Sequence, residues 1–154
     1  MLRYIKIKKN GVIILNNQYF IDLLNEYHLQ INKMKERLWN EKSDIYISNS
    51  EWLIIKIIFK SSPTISNVSK RVNISRQATH KFIKSLETKG LLEIKNIQNN
   101  KKEKCVQLTK LGEQCFEQYE VLMEKIEKEI CEKIGQDKFE VLIEILKTNC
   151  GLEK

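Results

Sequence analysis

The side chains with most to offer a partner lie between Ser75 and Lys84. If that stretch is helical, Gln77, His80, Lys81 and Lys84 share one side with Arg76 beside them near the N-terminus, while Thr79, Phe82, Ile83 and Leu86 share the other. One face can lock into a core while the other presents donors of several geometries. Arg, Gln and Lys on a rigid helix are what the major groove of double-stranded DNA needs, because they match the donor and acceptor patterns of base edges. Ser66 and Ser75, short and polar, are placed to hold phosphates and fix the register. Further along, Lys101 and Lys102, with Lys95 and Lys104, supply positive charge suited to phosphate neutralisation and counterion release. Alone, a basic helix face is an ordinary solvated surface and a lysine-rich turn an ordinary loop. Over residues 64–112 they follow in a particular order: short helix, tight turn, helix, lysine-tipped hairpin. That order makes duplex DNA the expected partner.

Other chemistry finds little support. The chain has 5 glycines and no glycine-rich phosphate loop. His28 has no evident nucleophile beside it in sequence, and His80 falls on the presumed DNA face, so no enzyme is expected. Cys105, Cys115, Cys131 and Cys150 form no C-x-x-C pair, and with 2 histidines they do not make a clustered zinc set. No metal or cofactor is expected. The thiols read as small apolar packing groups, with Cys105, among lysines that would favour its thiolate, the candidate if one senses oxidants.

The elements that must position these residues are legible from periodicity and caps. Phe20, Leu24, Tyr27, Ile31, Met34 and Leu38 make one stripe of a long helix over residues 18–40, suited to a seam against another helix. Ser48-Asn49-Ser50-Glu51 fits a capping box that opens an apolar helix, Trp52 to Lys60, ended by Ser61-Ser62-Pro63. Thr64 caps the next helix, with Val68 and Val72 facing inward. Ser75 caps the one after, which runs to about Lys89, and Gly90 stands where a left-handed C-cap belongs. Leu91–Ile97 and Lys104–Leu108 read as strands joined by a tip of Gln98-Asn99-Asn100-Lys101-Lys102. Thr109 and Gly112 lead into a second long helix striped by Cys115, Tyr119, Leu122, Ile126, Ile130 and Ile134. Gly135 interrupts it before a last helix with Phe139, Leu142, Ile143 and Leu146. At the start, Asn10-Gly11 marks a turn in a short arm or hairpin over residues 1–16.

The fold class expected is mainly α with a small β-hairpin wing: a winged helix-turn-helix with long N- and C-terminal dimerisation helices. Its parts are 1–47 (arm and dimerisation helix), 48–111 (winged module) and 112–154 (C-terminal dimerisation helices). Charge follows these divisions. The net charge of +7 separates into +3 for residues 1–50, +9 for 51–111 and −5 for 112–154, so a polyanion is expected at the middle. No apolar run approaches the ~20 residues of a membrane span. Lys6, Lys8 and Lys9 precede only a short apolar run with no small-residue cleavage site, so the chain is expected in the cytoplasm.

Thr64 to Arg76 resembles the helix-turn-helix of MarR-type (multiple antibiotic resistance) regulators. Leu86-Glu87-Thr88-Lys89-Gly90-Leu91-Leu92 is similar to that family's signature at the end of the recognition helix, and Val106-Gln107-Leu108-Thr109-Lys110-Leu111-Gly112 to its strand-to-helix passage after the wing. The likeness runs in register from about Glu51 to Gly112. It implies a transcriptional regulator, in most cases a repressor, acting as a homodimer on a pseudo-palindromic operator. The first and last helices would build the dimer through Phe20, Leu24, Tyr27, Ile31 and Met34 and through Leu122, Ile126, Ile130, Leu142 and Leu146. A small aromatic or lipophilic effector is also implied. Trp39, Tyr46 and Trp52 are pocket candidates, although core packing is the commoner role for each. The family wing usually carries Asp-x-Arg, where this chain has Asn100-Lys101-Lys102, and Ile94 replaces an arginine common after the recognition helix. Lysine cannot repeat arginine's planar bidentate contact, so this wing is expected to neutralise phosphate rather than read bases. The rival reading is a winged-helix module that turns the same face to protein or RNA, which salt-insensitive binding to such a partner would distinguish.

Overall fold

The computed structural model describes the backbone of residues 6–7, 13–15, 18–97 and 100–148, and the side chains of residues 19–97 and 103–148. The Asn10-Gly11 turn, Gln98-Asn99 at the hairpin tip and Cys150 lie outside the described residues. Two units form, Met1–Asn49 and Ser50–Lys154.

In the first unit, β1 (Lys6–Ile7), β2 (Ile13–Leu15) and β3 (Gln18–Tyr19) make an antiparallel sheet in that order, with Lys6 opposite Ile14 and Ile14 opposite Tyr19. The chain turns directly into α1 (Phe20–Asn40), where the Tyr19 backbone N–H donates to Asp22 Oδ2 at 3.1 Å. The predicted stripe is present. Its N-terminal members Phe20, Leu24 and Tyr27 are exposed, and Ile31, Met34 and Leu38 are half-buried. At the other end Trp39 is buried and its Nε1 donates to the Ile45 carbonyl at 2.7 Å, closing the turn after the helix.

The second unit begins around α2 (Asn49–Ile58), whose Trp52, Ile54, Ile55 and Ile58 are all buried. Each such side chain contributes about 2 kcal/mol by leaving water, which is why a helix apolar on nearly every side sits at the centre. Lys60, at φ +53°, takes the left-handed conformation that turns the chain out of α2 ahead of the predicted Ser61-Ser62-Pro63 stop.

From Pro63 the chain briefly joins the wing: Val106 N–H donates to the Pro63 carbonyl at 3.0 Å and Thr64 bridges Cys105. Thr64 then caps α3 (Ile65–Arg71), accepting from Asn67 N–H at 3.1 Å, and Ser75 caps α4 (Arg76–Thr88), accepting from Ala78 N–H at 3.2 Å. Helix α4 ends in a Schellman arrangement: Gly90 N–H to Glu87 O at 2.9 Å and Leu91 N–H to Leu86 O at 3.0 Å, with Gly90 at φ +72°. Leu86 and Leu91, which flank this closure, are fully buried. The run from Leu86 to Leu92 thus has a physical reason at each end.

Strands β4 (Leu92–Ile97) and β5 (Asn100–Leu108) pair antiparallel from Leu92–Leu108 outward, with a register shift after Asn96. The hairpin is longer than expected, because Asn100, Lys101 and Lys102 belong to β5 and not to the tip. Polar composition marks them as a loop in sequence, yet backbone pairing does not depend on what the side chains are.

At the root of the hairpin, the Thr109 hydroxyl donates to the Gly90 carbonyl at 2.7 Å and accepts from Gly112 N–H at 3.1 Å. It thereby caps α5 (Lys110–Ile134) while tying it to the end of α4. A Cβ on Gly112 would overlap the Leu91 carbonyl oxygen, so only glycine fits this approach. Along α5, Cys115, Phe116, Tyr119, Leu122 and Ile126 are buried. Tyr119 stacks on Trp52 with ring centroids 4.0 Å apart, and Phe116 meets Phe59 at 4.5 Å. Gly135, at φ +89°, separates α5 from α6 (Gln136–Lys147), which buries no side chain and exposes Val141, Leu142, Ile145 and Leu146. The chain is therefore mainly α with a β-hairpin wing and long first and fifth helices, and no helix among the described residues is long and apolar enough to cross a membrane.

Candidate nucleic-acid interface

Helix α4 is divided as its sequence predicts. Thr79, Ile83 and Leu86 are buried, and Phe82 is half-buried. The Thr79 hydroxyl is satisfied by the Ser75 carbonyl at 3.1 Å, so a polar group sits in the core at no cost in lost hydrogen bonding. On the opposite side Arg76, Gln77, His80 and Lys81 are exposed, and among the described residues none of the four has a hydrogen-bond or ion-pair partner. Four donors thus stand ready on one rigid element, anchored by a capped first turn.

Two of the expected lysines are differently placed. Lys84 is exposed but pairs with Glu87 Oε2 at 2.6 Å, and Lys95 pairs with Glu93 Oε1 at 2.7 Å and donates to Gln107 Oε1 at 3.0 Å. Neither offers a free charge until that carboxylate is displaced. Wing register also separates residues that sequence had grouped. Lys95 lies opposite Cys105 and Asn96 opposite Lys104, so Lys95 and Lys104 project from opposite faces of the hairpin. Lys104 is exposed, and the side chains of Lys101 and Lys102 lie outside the described residues. Ser66 is half-buried, and Ser75 is exposed with its oxygen already accepting at the cap, which leaves its hydroxyl proton to donate. Lys70 and Arg71, exposed in the last turn of α3 just before the turn into α4, are further cations with no ion-pair partner among the described residues, and the sequence did not single them out. Their signal was the Lys-Arg step itself, beside a helix break.

The expected dimer contacts also divide. Phe20, Leu24 and Tyr27 on α1 and Leu142 and Leu146 on α6 are exposed, while Ile31, Met34 and Ile130 are half-buried. Leu122 and Ile126, at 2% and 4% exposure, are already buried within a single chain, so they are core and not open contact surface. A stripe of apolar residues records that a face is covered, not which chain covers it. Trp39 and Trp52 are likewise core residues, and Tyr46 is exposed. His28 is exposed, its Nε2 2.8 Å from Asn32 Nδ2.

The thiols differ in setting. Cys115 is buried, and burial pushes its thiol up, which disfavours the reactive thiolate. Half-buried Cys105 donates to the Lys95 carbonyl at 3.6 Å, and half-buried Cys131 to Gln136 Oε1 at 2.9 Å.

Residues 47–112 match the family model described as a winged helix DNA-binding domain. Over 136 residues the chain is 26% identical to an uncharacterised HTH-type transcriptional regulator of Staphylococcus aureus, covering 86% of this chain and 90% of that protein. Its fold is similar to Streptococcus pneumoniae FabT in complex with DNA, with a TM-score of 0.71 at 20% identity over 82% of this chain and 89% of the other. It is also similar to a mutant of MarR from E. coli complexed with operator DNA, with a TM-score of 0.65 at 25% identity over 82% of this chain and 93% of the other. With the capped helix-turn-helix, the hairpin and the two glycine-dependent junctions in place, residues 47–112 form a winged helix DNA-binding domain, and the chain is similar to HTH-type transcriptional regulators and to MarR.

Proposed function

We propose that two copies of the chain bind one pseudo-palindromic operator in double-stranded DNA, with α4 of each copy in successive major grooves, and that occupancy represses the overlapped promoter. The observation that carries this reading is the set of exposed, unpartnered side chains Arg76, Gln77, His80 and Lys81 on a helix whose other face is buried. A helix so divided presents base-reading donors without having to break internal contacts first. Lys70, Arg71 and Lys104 add positive charge for the phosphate backbone. FabT and MarR, the similar structures, were each determined with DNA.

A dimer is supported by apolar side chains that one chain leaves open: Phe20, Leu24 and Tyr27 on α1, and Leu142 and Leu146 on α6. Residues 1–47 and 112–154 would form the dimerisation parts around the winged module at 48–111, spacing the two α4 helices by about one turn of DNA, ~34 Å. We place this activity in the cytoplasm, where the DNA is. On the family resemblance alone, we extend the proposal to release by a small aromatic or lipophilic effector.

The test is selection of genomic fragments by the purified chain, followed by titration of the enriched duplex across salt concentrations and sedimentation of the complex. The expected result is one enriched pseudo-palindrome, two chains per duplex and an affinity that falls steeply with salt. Failure to enrich any duplex, or salt-insensitive capture of RNA or protein instead, overturns the reading.

A further inference from the structure

Glu51 and Thr79 are the buried polar side chains among the described residues, and Glu51 alone of the two is ionisable. Glu51 is 2% exposed, and its Oε1 accepts from Ser85 Oγ at 2.8 Å and from Lys89 Nζ at 2.6 Å. Both donors belong to the end of α4, Ser85 within the helix and Lys89 as its C-cap. Burying a carboxylate is strongly unfavourable unless it is paired, and a well-packed apolar contact holds two helices together at least as well. What the ion pair adds is direction. Apolar packing is non-directional, whereas charge-assisted hydrogen bonds fix distance and orientation.

Gln77, Lys81, Ser85 and Lys89 follow one another at steps of four, which makes them one ridge of α4. Its first two members are exposed and unpartnered, and its last two are held by Glu51. Turning α4 about its axis, or sliding it, cannot move Gln77 and Lys81 without pulling Ser85 and Lys89 off the carboxylate. At a helix radius of about 5–6 Å, a rotation of roughly 20° carries a surface atom about 2 Å, more than a bidentate contact to a base edge tolerates. We propose that Glu51 is the positioning residue of the recognition helix: through Ser85 and Lys89 it sets the rotation and axial register at which Gln77 and Lys81 meet DNA. This inference rests on the DNA-binding reading above.

The experiment compares Glu51→Gln and Lys89→Met with the conservative Lys89→Arg, each in the full chain. One readout is the ratio of affinities for the duplex selected by the unmutated protein and for the same duplex with one base pair changed. The other is backbone hydrogen exchange without DNA. Glu51→Gln and Lys89→Met are expected to lower the affinity ratio roughly tenfold with an unchanged salt slope, and to speed exchange across Arg76–Thr88 but not across Lys110–Ile134. Lys89→Arg keeps the pair and is expected to stay near the unmutated ratio. Unchanged discrimination in folded variants overturns the proposal, as does faster exchange in every helix together with a lowered Tm, which would mark a merely structural role. If Glu51→Gln does not fold, Lys89→Met carries the test, because the Lys89 side chain is 24% exposed. Should the unmutated chain select no duplex, the DNA reading falls by itself. Exchange then decides the remainder: acceleration confined to α4 supports the clamp, and no acceleration there overturns it.

Discussion

On the proposed DNA-binding reading, the exposed side chains of α4 have separable tasks. Gln77 carries an amide able to pair with a single base edge, while Lys81 is a mobile point charge. Gln77→Ala is therefore expected to change sequence preference by ~1–3 kcal/mol at one base pair. Lys81→Ala should instead weaken binding to all duplexes and reduce the salt slope by about one. Titrations against a panel of single-base variants at several salt concentrations separate the two outcomes. Lys84→Ala should cost less than Lys81→Ala, since Glu87 already neutralises Lys84. Gly112 governs stability and not recognition. A methyl group there meets the Leu91 carbonyl, which is fixed by its own bond from Thr109 N–H. Gly112→Ala should cost at least about 2 kcal/mol of folding stability, measured by chemical denaturation. Sequence could name all of these residues, because helical spacing and caps are local properties. The Lys84–Glu87 pair was also readable from its spacing of three. The Glu51–Lys89 bridge was not, since its partners lie 38 residues apart and only the packed core brings them together.

Between elements, an aromatic contact joins α2 to α5. Trp52 and Tyr119 lie face to face, and burial raises Tyr119 from its ordinary 10.0 to about 12. The unfolded chain loses the phenolic proton near pH 10, whereas the folded chain keeps it until about 12. The resulting stability is complete below pH 10 and is lost as pH rises toward 12, at most about 2–3 kcal/mol. Denaturation midpoints of Tyr119→Phe should lack this alkaline fall, and an identical fall in the variant would rule the assignment out. Helix boundaries were largely legible because Thr64, Ser75, Thr109 and Gly90 are stop and start signals acting within a few residues. The division of the α5 stripe into a covered first half and a more open second half was not. Periodicity is the same for a face packed on α2 and for one reserved for a second chain.

At the scale of the whole chain, net charge divides along the sequence and exposed apolar side chains concentrate on two helices. Residues 51–111 carry most of the excess positive charge (+9, against +3 for residues 1–50), and residues 112–154 are net negative. Apolar side chains left open by one chain cluster on α1 and α6. Leu24→Glu, at an exposed position, should leave the monomer folded while dissociating the proposed dimer and weakening operator binding, as judged by sedimentation and circular dichroism. A monomeric unmutated chain would dispose of the expectation. Ile126→Glu is a poor probe of assembly, since its site is core and the chain would be expected to unfold. The division of charge was legible in composition, but which apolar faces stay open required the packed chain. Finally, the hydroxyl of Thr109 fastens both feet of the wing, holding Gly90 on one side and Gly112 on the other. Outward of the Val106–Pro63 and Thr64–Cys105 contacts, a change in hairpin length is expected to leave that clasp and both helices in place. The reach of this arm is thus an adjustable dimension of the protein, and on the proposed DNA-binding reading, lengthening or trimming it beyond Ile97 offers a way to alter how much backbone would be gripped while leaving α4 where it is.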